Sequence, residues 1–499
     1  MKIEQVPKQI SSFIIPEPSG QMYYRCLNCN ERFGIEHLLY TCPNCGGVLL
    51  LYSEGNKALS MLSGEEWKKI FDYRKLLNYP PLQGIFLFYE FIAPVIPLSS
   101  IIYLGEAHTP IVKASPKLRD IIGMDFYFKY EGLNPSASFK DRGMACALSY
   151  IKYLSEKKGL KDIIAICAST GDTSASAALY SAYLGDNIKS VVILPAGKVT
   201  SQQLSQPLGH GAVVLEVPGV FDDCMKIVEF LSERYNVALL NSKNSWRILG
   251  QETFSFEIAQ AFEYDMKDKA VVVPIGNAGN ITAVMSGFLK FYKAGIIEDL
   301  PKIIGVQSEH ADPVFRYYEQ EEGKRKFIPV KVKPSVAQAA MIGNPVSMPR
   351  VIELVEEYDN ITGKRRFYVV QVKEQEIMDC MIVANRNGNI VCTQGGESLA
   401  GLIRAKEKGY VSNSDIAILN STAHMLKFIS FQQMYFEDSF PPEFEVKPKD
   451  ELKNQPIRIV PEKDRSNYGE FIKDVAEKIA KILDLKEDVC QHQKTTRLP

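Results

Sequence analysis

The stretch VVVPIGNAGNITAVMSGFL, residues 271–289, contains the pattern of one strand, one loop and one helix. Its start, Val271–Ile275, is a short and mostly β-branched apolar run, which predicts a buried strand. The apolar residues that follow recur at helical spacing and predict a helix: Ile281, Val284, Met285, Phe288 and Leu289. Between the two lies GNAGN, residues 276–280, whose glycines beside a helix N-terminus let backbone N–H groups converge on a phosphate. Taken alone, this loop fits a plain turn as well as a phosphate site.

Similar units recur from about residue 106 to residue 430. The other predicted strands are short and bounded by Gly, Pro or Ser: Phe126–Tyr130, Ile163–Cys167, Val191–Leu194, Val213–Val217, Ile303–Val306 and Ile416–Leu419. Segments of helix length separate several of them, such as Gly143–Lys158 and Asp222–Arg234. This alternation predicts an α/β fold with doubly wound parallel sheets, in which ligands bind beyond the carboxyl ends of the strands.

Composition excludes several classes of function. The chain has 499 residues, with 58 Lys and Arg against 59 Asp and Glu, and a formal net charge of -1. Because a basic excess is absent, we expect no function based on nucleic acid. The most apolar stretch, residues 80–104, is interrupted by Pro81, Glu90, Pro94 and Pro97. It therefore predicts buried irregular packing rather than a membrane span, and the N-terminus predicts no secretory signal.

Four of the ten cysteines form two CxxC pairs, CLNC at 26–29 and CPNC at 42–45, separated by twelve residues. Two such turns facing each other complete a tetrahedral zinc site, so the spacing predicts a structural zinc bound by Cys26, Cys29, Cys42 and Cys45. A disulfide pairing is disfavoured, since the other cysteines are scattered in apolar segments as in reduced cytoplasmic proteins. Nucleic-acid binding by this module is also disfavoured, because only Arg25 and Arg32 are basic there.

Two further loops carry candidate chemistry. In NPSASFKDRG, residues 134–143, Lys140 opens a predicted helix beside Phe139, and such an amine suits Schiff-base chemistry. A solvated surface lysine is the simpler alternative for this loop alone. In ASTGDTSASAA, residues 168–178, the hydroxyls of Ser169, Thr170 and Thr173 and the free N–H groups of a helix would form a carboxylate site. A simple N-cap by Asp172 or Thr173 is the alternative.

The three loops together point to one kind of cofactor. Pyridoxal phosphate (PLP) needs a lysine for its aldehyde and an anion nest for its phosphate, and its amino-acid substrates need a grip on their carboxylate. One loop supplies each of these features, and all three follow predicted strands. The sequence therefore predicts a PLP enzyme acting on an amino acid.

These residues resemble the threonine synthases, a family of fold type II PLP enzymes, which are related to the tryptophan synthase β subunit. The resemblance runs from the cysteine module to about Phe428. The matching segments are GEAHTP (105–110), NPSASFKDRGM (134–144), STGDTSASAALYSA (169–182), LPAGKV (194–199), GVFDD (219–223), NSKNSWRILGQE (241–252), PIGNAGNITA (274–283), IGNPVSMPR (342–350) and NSTAHMLKF (420–428).

The resemblance implies a role for each matched residue. It implies that Lys140 forms the covalent bond to PLP, that Asp172 lies beside the phenolic oxygen, and that Thr422 hydrogen-bonds the pyridine nitrogen. It implies that the PLP phosphate is held by Gly276, Asn277, Ala278, Gly279 and Asn280. It also implies a clamp on a substrate phosphate, made by Arg247 with Asn244 and Lys198, because guanidinium groups match phosphates bidentately.

Some positions depart from the commoner family pattern. Asp172 stands where Asn is often found, and CTQGGESLAGL (392–402) and GVQSEHADP (305–313) differ from the usual stretches. In STAHMLKF, Met425 replaces a usual glycine, and we expect His424 to be structural rather than catalytic. These changes border the expected rim of the active site, so they leave the substrate geometry open.

The activity that the resemblance implies is that of a PLP lyase converting O-phospho-L-homoserine and water to L-threonine and phosphate, in a cytoplasmic homodimer. Two enzymatic alternatives stay open: a cysteate-synthase-like β-replacement, and a threonine or serine dehydratase. A non-catalytic relative whose cysteine module binds a partner is a third. Turnover of phosphohomoserine against phosphoserine and threonine separates these alternatives.

We predict five parts along the chain. A zinc-ribbon-like module occupies 1–55, and a connector with the first elements of the larger domain occupies 56–125. A smaller α/β domain with Lys140 and the carboxylate loop spans 126–250, and a larger one with the phosphate loop spans 251–440. Residues 441–499 form a polar linker and an amphipathic helix at Tyr468–Leu485, which we expect to be docked by its apolar face.

Overall fold

The computed structural model describes residues 5–160, 163–169, 171–185, 188–196, 201–219, 221–235 and 237–486. Thr170 and Lys198, two of the predicted substrate-binding residues, lie outside them. Contacts divide the chain into two units, residues 1–448 and 449–499.

The elements follow the predicted alternation. The strands are β1 Gln21–Cys26, β2 Arg32–Gly34, β3 Leu49–Glu54, β4 Ile111–Lys113, β5 Phe126–Tyr130, β6 Ile163–Ala168, β7 Ile188–Pro195, β8 Val213–Val217, β9 Val237–Leu239, β10 Lys269–Pro274, β11 Lys302–Ser308, β12 Phe367–Val372 and β13 Ile416–Ser421. The helices are α1 Lys8–Ile14, α2 Lys57–Met61, α3 Gly64–Leu76, α4 Tyr89–Ile92, α5 Pro116–Ile122, α6 Lys140–Lys158, α7 Asp172–Leu184, α8 Ser201–Gly209, α9 Phe221–Arg234, α10 Ser245–Ala261, α11 Gly279–Lys293, α12 Pro313–Tyr318, α13 Met348–Thr362, α14 Glu374–Arg386, α15 Thr393–Glu407, α16 Ile429–Glu437 and α17 Tyr468–Ile482. The predicted strands and helices are confirmed with small changes at their ends.

Two open sheets carry the fold. The larger has the order β12-β11-β10-β13-β5-β4, with parallel neighbours except for the antiparallel pair β4 and β5. The smaller has the order β8-β7-β6-β9 and is parallel throughout. The predicted class, an α/β fold with two doubly wound parallel sheets, is therefore confirmed.

One predicted boundary was wrong. The sequence analysis placed strand β5 in the smaller domain, but β5 pairs with β13, so that Phe126 lies opposite Ala417 in the larger sheet. The strands described for the smaller sheet all lie between residues 163 and 239. The chain thus leaves the larger sheet after β5 and returns to it at β10, a long-range pairing that local patterns do not show.

The apolar stretch 80–104 packs irregularly inside the protein, as predicted. It forms short 3-10 turns and helix α4, and the whole of Gly84–Phe88 is buried. The rings of Phe88 and Phe91 lie 5.1–6.0 Å from those of Phe256 on α10 and Phe291 on α11. Among the helices described, none has both the length and the apolar character needed to cross a membrane.

In the second unit, the predicted amphipathic helix is present as α17. None of its residues is buried within that unit, and docking of its apolar face stays a prediction.

Candidate active site

A cavity of about 70 Å³ opens at the carboxyl ends of the strands. This position is the one expected for a ligand site in an open α/β sheet. Its walls come from many elements: Phe139, Lys140, Asp172, Ser242, Arg247, Ile248, Gln251, Pro274, Gly276, Asn277, Ala278, Gly279, Asn280, Ala339, Ala340, Gln394 and Thr422. The structure thus brings together the lysine, the GNAGN loop and the arginine.

The GNAGN loop joins β10 to α11 and is shaped as an anion cradle. Ala278 has a left-handed backbone (φ 60°), and α11 begins directly after it without a side-chain cap, so the first N–H groups of the helix lack intrahelical partners. A Cβ on Gly276 would lie 3.0 Å from the Cα of Ala340, a tight contact that favours glycine at this position. The buried Nδ2 of Asn280 has no partner among the described residues. These features fit a bound phosphate.

Lys140 is the first residue of α6, as predicted, and its amine lies 4.3 Å from the centre of the Phe139 ring. Burial lowers the pKa of Lys140 to about 7, with a further lowering by Arg247 and an opposing effect of Asp172. An amine that is substantially neutral near pH 7 can act as a nucleophile and as a proton acceptor. The solvated-lysine alternative is therefore disfavoured.

Asp172 begins α7 and is buried at the wall of the cavity. Its carboxylate lies 3.2 Å from the amine of Lys427, which also donates to the carbonyl of Ser136 and to Oε1 of Gln206, both at 2.8 Å. Lys427 offsets the negative charge of Asp172 beside a site for anions. Sequence analysis did not single it out, although it lies in the matched segment NSTAHMLKF.

Arg247 lies in the first turn of α10 and is 2% exposed. Its Nη1 donates to the carbonyl of Leu240 at 2.9 Å, its Nε has no partner, and no carboxylate among the described residues pairs with it. Burial lowers the pKa of Arg247 to about 10, so the group stays charged at neutral pH. A buried cation without a counter-ion at a cavity wall is suited to an anionic ligand.

Other predicted residues are engaged elsewhere. Asn244 caps α10, since its Oδ1 accepts from the N–H of Trp246 at 3.0 Å and its Nδ2 donates to the carbonyl of Leu239 at 3.0 Å. Asn244 does not line the cavity; Ser242 of the same turn does. Ser169 accepts from the N–H groups of Gly171 and Ser174, so it caps α7. Neither Ser169 nor Thr173 is among the lining residues.

At the far wall, Thr422 follows β13, and its carbonyl accepts from the N–H of Phe139 at 2.9 Å. His424 accepts from the N–H of Leu426 through Nδ1 at 3.2 Å, which is the structural role predicted for it. Gln394, in the unusual segment 392–402, is 3% exposed and lines the cavity, and neither polar atom of its amide has a partner among the described residues. An unsatisfied buried amide is costly unless a ligand pairs with it.

The cysteine module, which we define as residues 21–54, has an antiparallel sheet of order β2-β1-β3. The four Sγ atoms of its CxxC pairs lie within 4.8 Å of one another, with Cys26 to Cys45 at 3.5 Å and Cys29 to Cys42 at 3.6 Å. A tetrahedral zinc with about 2.3 Å bonds to sulfur needs edges of about 3.8 Å. A Cβ on Gly47 would lie 2.8 Å from the Sγ of Cys26, which accounts for the glycine after the second pair. The donor set fits a zinc ion.

Comparison with known proteins places this site in a class. Residues 102–422 match the family described as pyridoxal-phosphate dependent enzyme, so the chain belongs to that class. The chain is 33% identical over 407 residues to the threonine synthase of Methanocaldococcus jannaschii, covering 81% of this chain and 93% of the relative. It is 34% identical over 411 residues to the threonine synthase of Methanosarcina acetivorans, covering 81% and 92%. Within the class, the chain belongs to the threonine synthase family.

Solved structures agree on the fold. The crystal structure of threonine synthase from Escherichia coli matches with a TM-score of 0.63, covering 91% of this chain and 94% of that one at 19% sequence identity. The yeast threonine synthase matches with a TM-score of 0.56, covering 93% and 100% at the same identity.

Proposed function

We propose that this lyase converts O-phospho-L-homoserine and water to L-threonine and phosphate, with PLP held through Lys140. The observation that carries the proposal is the pairing of two anion sites in one cavity. The GNAGN loop is suited to the phosphate of the cofactor, and the buried, unpaired Arg247 is suited to a second phosphate on the substrate. A dehydratase acting on threonine or serine has no use for the second site, which disfavours that alternative.

The residues around the cavity fit PLP. Gly276–Asn280 would hold its phosphate, Thr422 would meet its ring nitrogen with a neutral hydroxyl, and Asp172 would lie on the phenolic side. When bound, PLP supplies an electron sink for the carbanion that forms at Cα of the substrate.

The chain itself moves protons and binds charge. The amine of Lys140, neutral in a large fraction near pH 7, would take the Cα proton of the substrate, give it up to the conjugated carbon system that bound PLP would supply, and then take a proton from Cβ. Arg247 holds the phosphate of the substrate through departure from Cγ, since its guanidinium stays charged. Cγ would then take up a proton and become the methyl group, water would add its hydroxyl at Cβ, and Cα would regain a proton. Lys427 keeps Asp172 neutralised, so that a second negative charge beside the phenolic oxygen is tolerated.

The cysteine module would hold a structural zinc through Cys26, Cys29, Cys42 and Cys45, with no open position for catalysis. Its four thiol sulfurs stand at tetrahedral spacing, which supports this part of the proposal. We also propose a cytoplasmic homodimer, in line with the resemblance and with the isolated buried cysteines Cys146, Cys167, Cys224 and Cys392, which would stay reduced there.

The test is turnover by purified protein. We expect threonine and phosphate from phosphohomoserine, with little product from phosphoserine or threonine. Reduction with borohydride followed by peptide mass spectrometry should locate the PLP adduct at Lys140 and nowhere in Lys140→Ala. A dominant dehydratase activity, or an adduct at another lysine, would refute the proposal.

Arg247→Met tests the substrate-phosphate site. We expect kcat/KM for phosphohomoserine to fall about 10²–10³-fold, the size of effect seen when one such electrostatic contact is removed. The matched control is Arg404→Met, which changes an arginine that pairs with Glu376 and Glu407 on the surface of α15. The control should leave kcat/KM within about twofold of the unmodified enzyme.

A further inference from the structure

The cysteine module contacts the segment that carries Arg247. The hydroxyl of Tyr40 accepts from the N–H of Leu239 at 2.9 Å, on the strand before that segment. The indole of Trp246, the residue next to Arg247, donates to the hydroxyl of Tyr24 at 2.9 Å. The ring of Trp246 also stacks on that of Tyr150 at 3.8 Å. The module therefore touches the chain on both sides of the turn that lines the cavity.

Arg350 makes the central link. Its Nε and Nη2 both donate to the carbonyl of Leu49 on β3 of the module, at 3.0 and 2.5 Å. Its Nη1 donates to the carbonyl of Ser242 at 3.2 Å, and its Nη2 to that of Lys243 at 3.3 Å and to the hydroxyl of Ser245 at 3.2 Å. One guanidinium thus joins the module to the whole Ser242–Ser245 turn, which ends two residues before Arg247.

The same arginine reaches the phosphate loop. Its Nη1 donates to the hydroxyl of Ser347 at 3.0 Å, and the N–H of Ser347 donates to the carbonyl of Asn277 at 3.1 Å. Arg350 therefore contacts, directly or through one residue, both walls on which phosphates are expected.

The burial and the charge of Arg350 argue against a role in packing alone. Arg350 is fully buried, and in the described part of the chain it forms no ion pair with a carboxylate. Burial lowers its pKa to about 9. Burying a cation without a counter-ion is costly, and Arg350 offsets that cost only through hydrogen bonds to carbonyls and hydroxyls. By contrast Arg25, which also ties the module to α13, pairs with the carboxylate of Glu353 in the ordinary way.

We propose that Arg350 is a positioning residue for the substrate-phosphate site: it fixes the Ser242–Ser245 turn against Leu49 of the cysteine module, so that the module sets the affinity for the substrate phosphate. The inference rests on the proposed function, since it takes Arg247 as the substrate-phosphate ligand. The module then supports a wall of the active site from outside the cavity, rather than being a remote stabilising appendage.

The experiment compares Arg350→Met, Arg350→Lys and the control Arg25→Gln as PLP-loaded full-length proteins. Calorimetry measures the affinity for inorganic phosphate, and absorbance measures the PLP content. Turnover of phosphohomoserine gives KM and kcat. In Arg350→Met we expect the phosphate Kd and KM to rise about tenfold, with kcat within about threefold and PLP content unchanged. Arg350→Lys should recover part of the affinity, because an ammonium still bonds the Leu49 carbonyl, and Arg25→Gln should leave Kd unchanged.

Removing the metal from the folded, unmodified protein gives a second measurement that does not depend on variants folding. Chelation should raise the phosphate Kd and change the tryptophan fluorescence, since Trp246 is one of only two tryptophans and bonds Tyr24 of the module. The inference is overturned if phosphate Kd stays within twofold in Arg350→Met and after chelation, or if Arg25→Gln weakens phosphate as much as Arg350→Met. An unmodified enzyme that neither binds phosphate nor turns over phosphohomoserine overturns the proposed function as well.

Discussion

At the scale of single residues, the site is governed by buried cations. Lys140 and Arg247 share one cavity, in which Arg247 is buried and Lys140 is half-buried. The guanidinium disfavours a second positive charge beside it, so it helps to keep the lysine neutral, while Asp172 acts in the opposite direction. Arg247, which is suited to bind a phosphate, therefore also lowers the pKa of the nucleophile Lys140.

This coupling predicts a pH dependence for loading of PLP onto the apoprotein. Only the neutral amine attacks an aldehyde, so the loading rate should rise with pH around a midpoint of about 7 and level off above it. Because Arg247 lowers the pKa of Lys140, Arg247→Met should move the midpoint to higher pH. Because Asp172 raises it, Asp172→Asn should move the midpoint lower. Stopped-flow absorbance of PLP binding measures both, and shifts of the opposite sign would contradict the assignment.

At the scale of elements, three helices pack at backbone contact and fix where Arg247 lies. A Cβ on Gly250 of α10 would lie 2.0 Å from the carbonyl oxygen of Arg142 on α6. A Cβ on Gly287 of α11 would lie 2.6 Å from the carbonyl oxygen of Glu252 on α10. Helix α10 is thus held against both neighbours without space for a methyl group, and Arg247 is one turn away from the first contact.

The variant Gly250→Ala should therefore force α10 away from α6. We expect a loss of about 1–3 kcal/mol in the free energy of unfolding, the usual cost of overpacking, together with weaker phosphate binding. The matched control is Gly209→Ala at the end of α8, where a Cβ would meet nothing within 4 Å. Urea denaturation followed by circular dichroism compares the two, and equal stabilities would show that the helices separate freely.

At the scale of the whole molecule, a buried ion network joins the larger sheet to the central helices. Arg142 on α6 donates to both Glu131, which follows β5, and Glu257 on α10, and Lys129 of β5 also bonds Glu257 at 2.7 Å. Burial alone would raise the pKa of Glu257, but Arg142 and Lys129 hold it well below the usual range. These charges lie behind Lys140 and tie its helix to the larger sheet.

Removing the shared cation should be strongly destabilising. Arg142→Met leaves two buried carboxylates with too little positive charge, so we expect a loss of about 3–5 kcal/mol at pH 7. A carboxylate whose pKa is lowered in the folded state stabilises above its unfolded pKa of about 4.3, and this stabilisation is lost as pH falls through the folded value. In Arg142→Met that contribution is absent, so the loss of stability relative to the unmodified protein should be largest near pH 7 and should shrink as pH falls.

Denaturant titrations between pH 4 and pH 7 measure this effect. Arg404→Met, which removes two partly exposed ion pairs, should cost less than about 1 kcal/mol. A loss in Arg142→Met no larger than in this control would show that the network contributes little.

Local patterns in the amino-acid sequence were enough to predict the strand–loop–helix units, the paired CxxC turns and the loops that carry Lys140 and the GNAGN segment. Each depends on neighbours within one or two turns of chain, and apolar periodicity and glycine placement record such neighbours directly. The remaining contacts that build the site could be found only from the tertiary structure. The pairing of β5 with β13, the ion pair of Lys427 with Asp172 and the bonds of Arg350 to Leu49 join residues hundreds of positions apart. In the turn before α10, the side chain of Asn244 caps the helix, and Ser242 lines the cavity instead. Whether Asn244 caps the helix or binds a ligand is decided only in the packed structure.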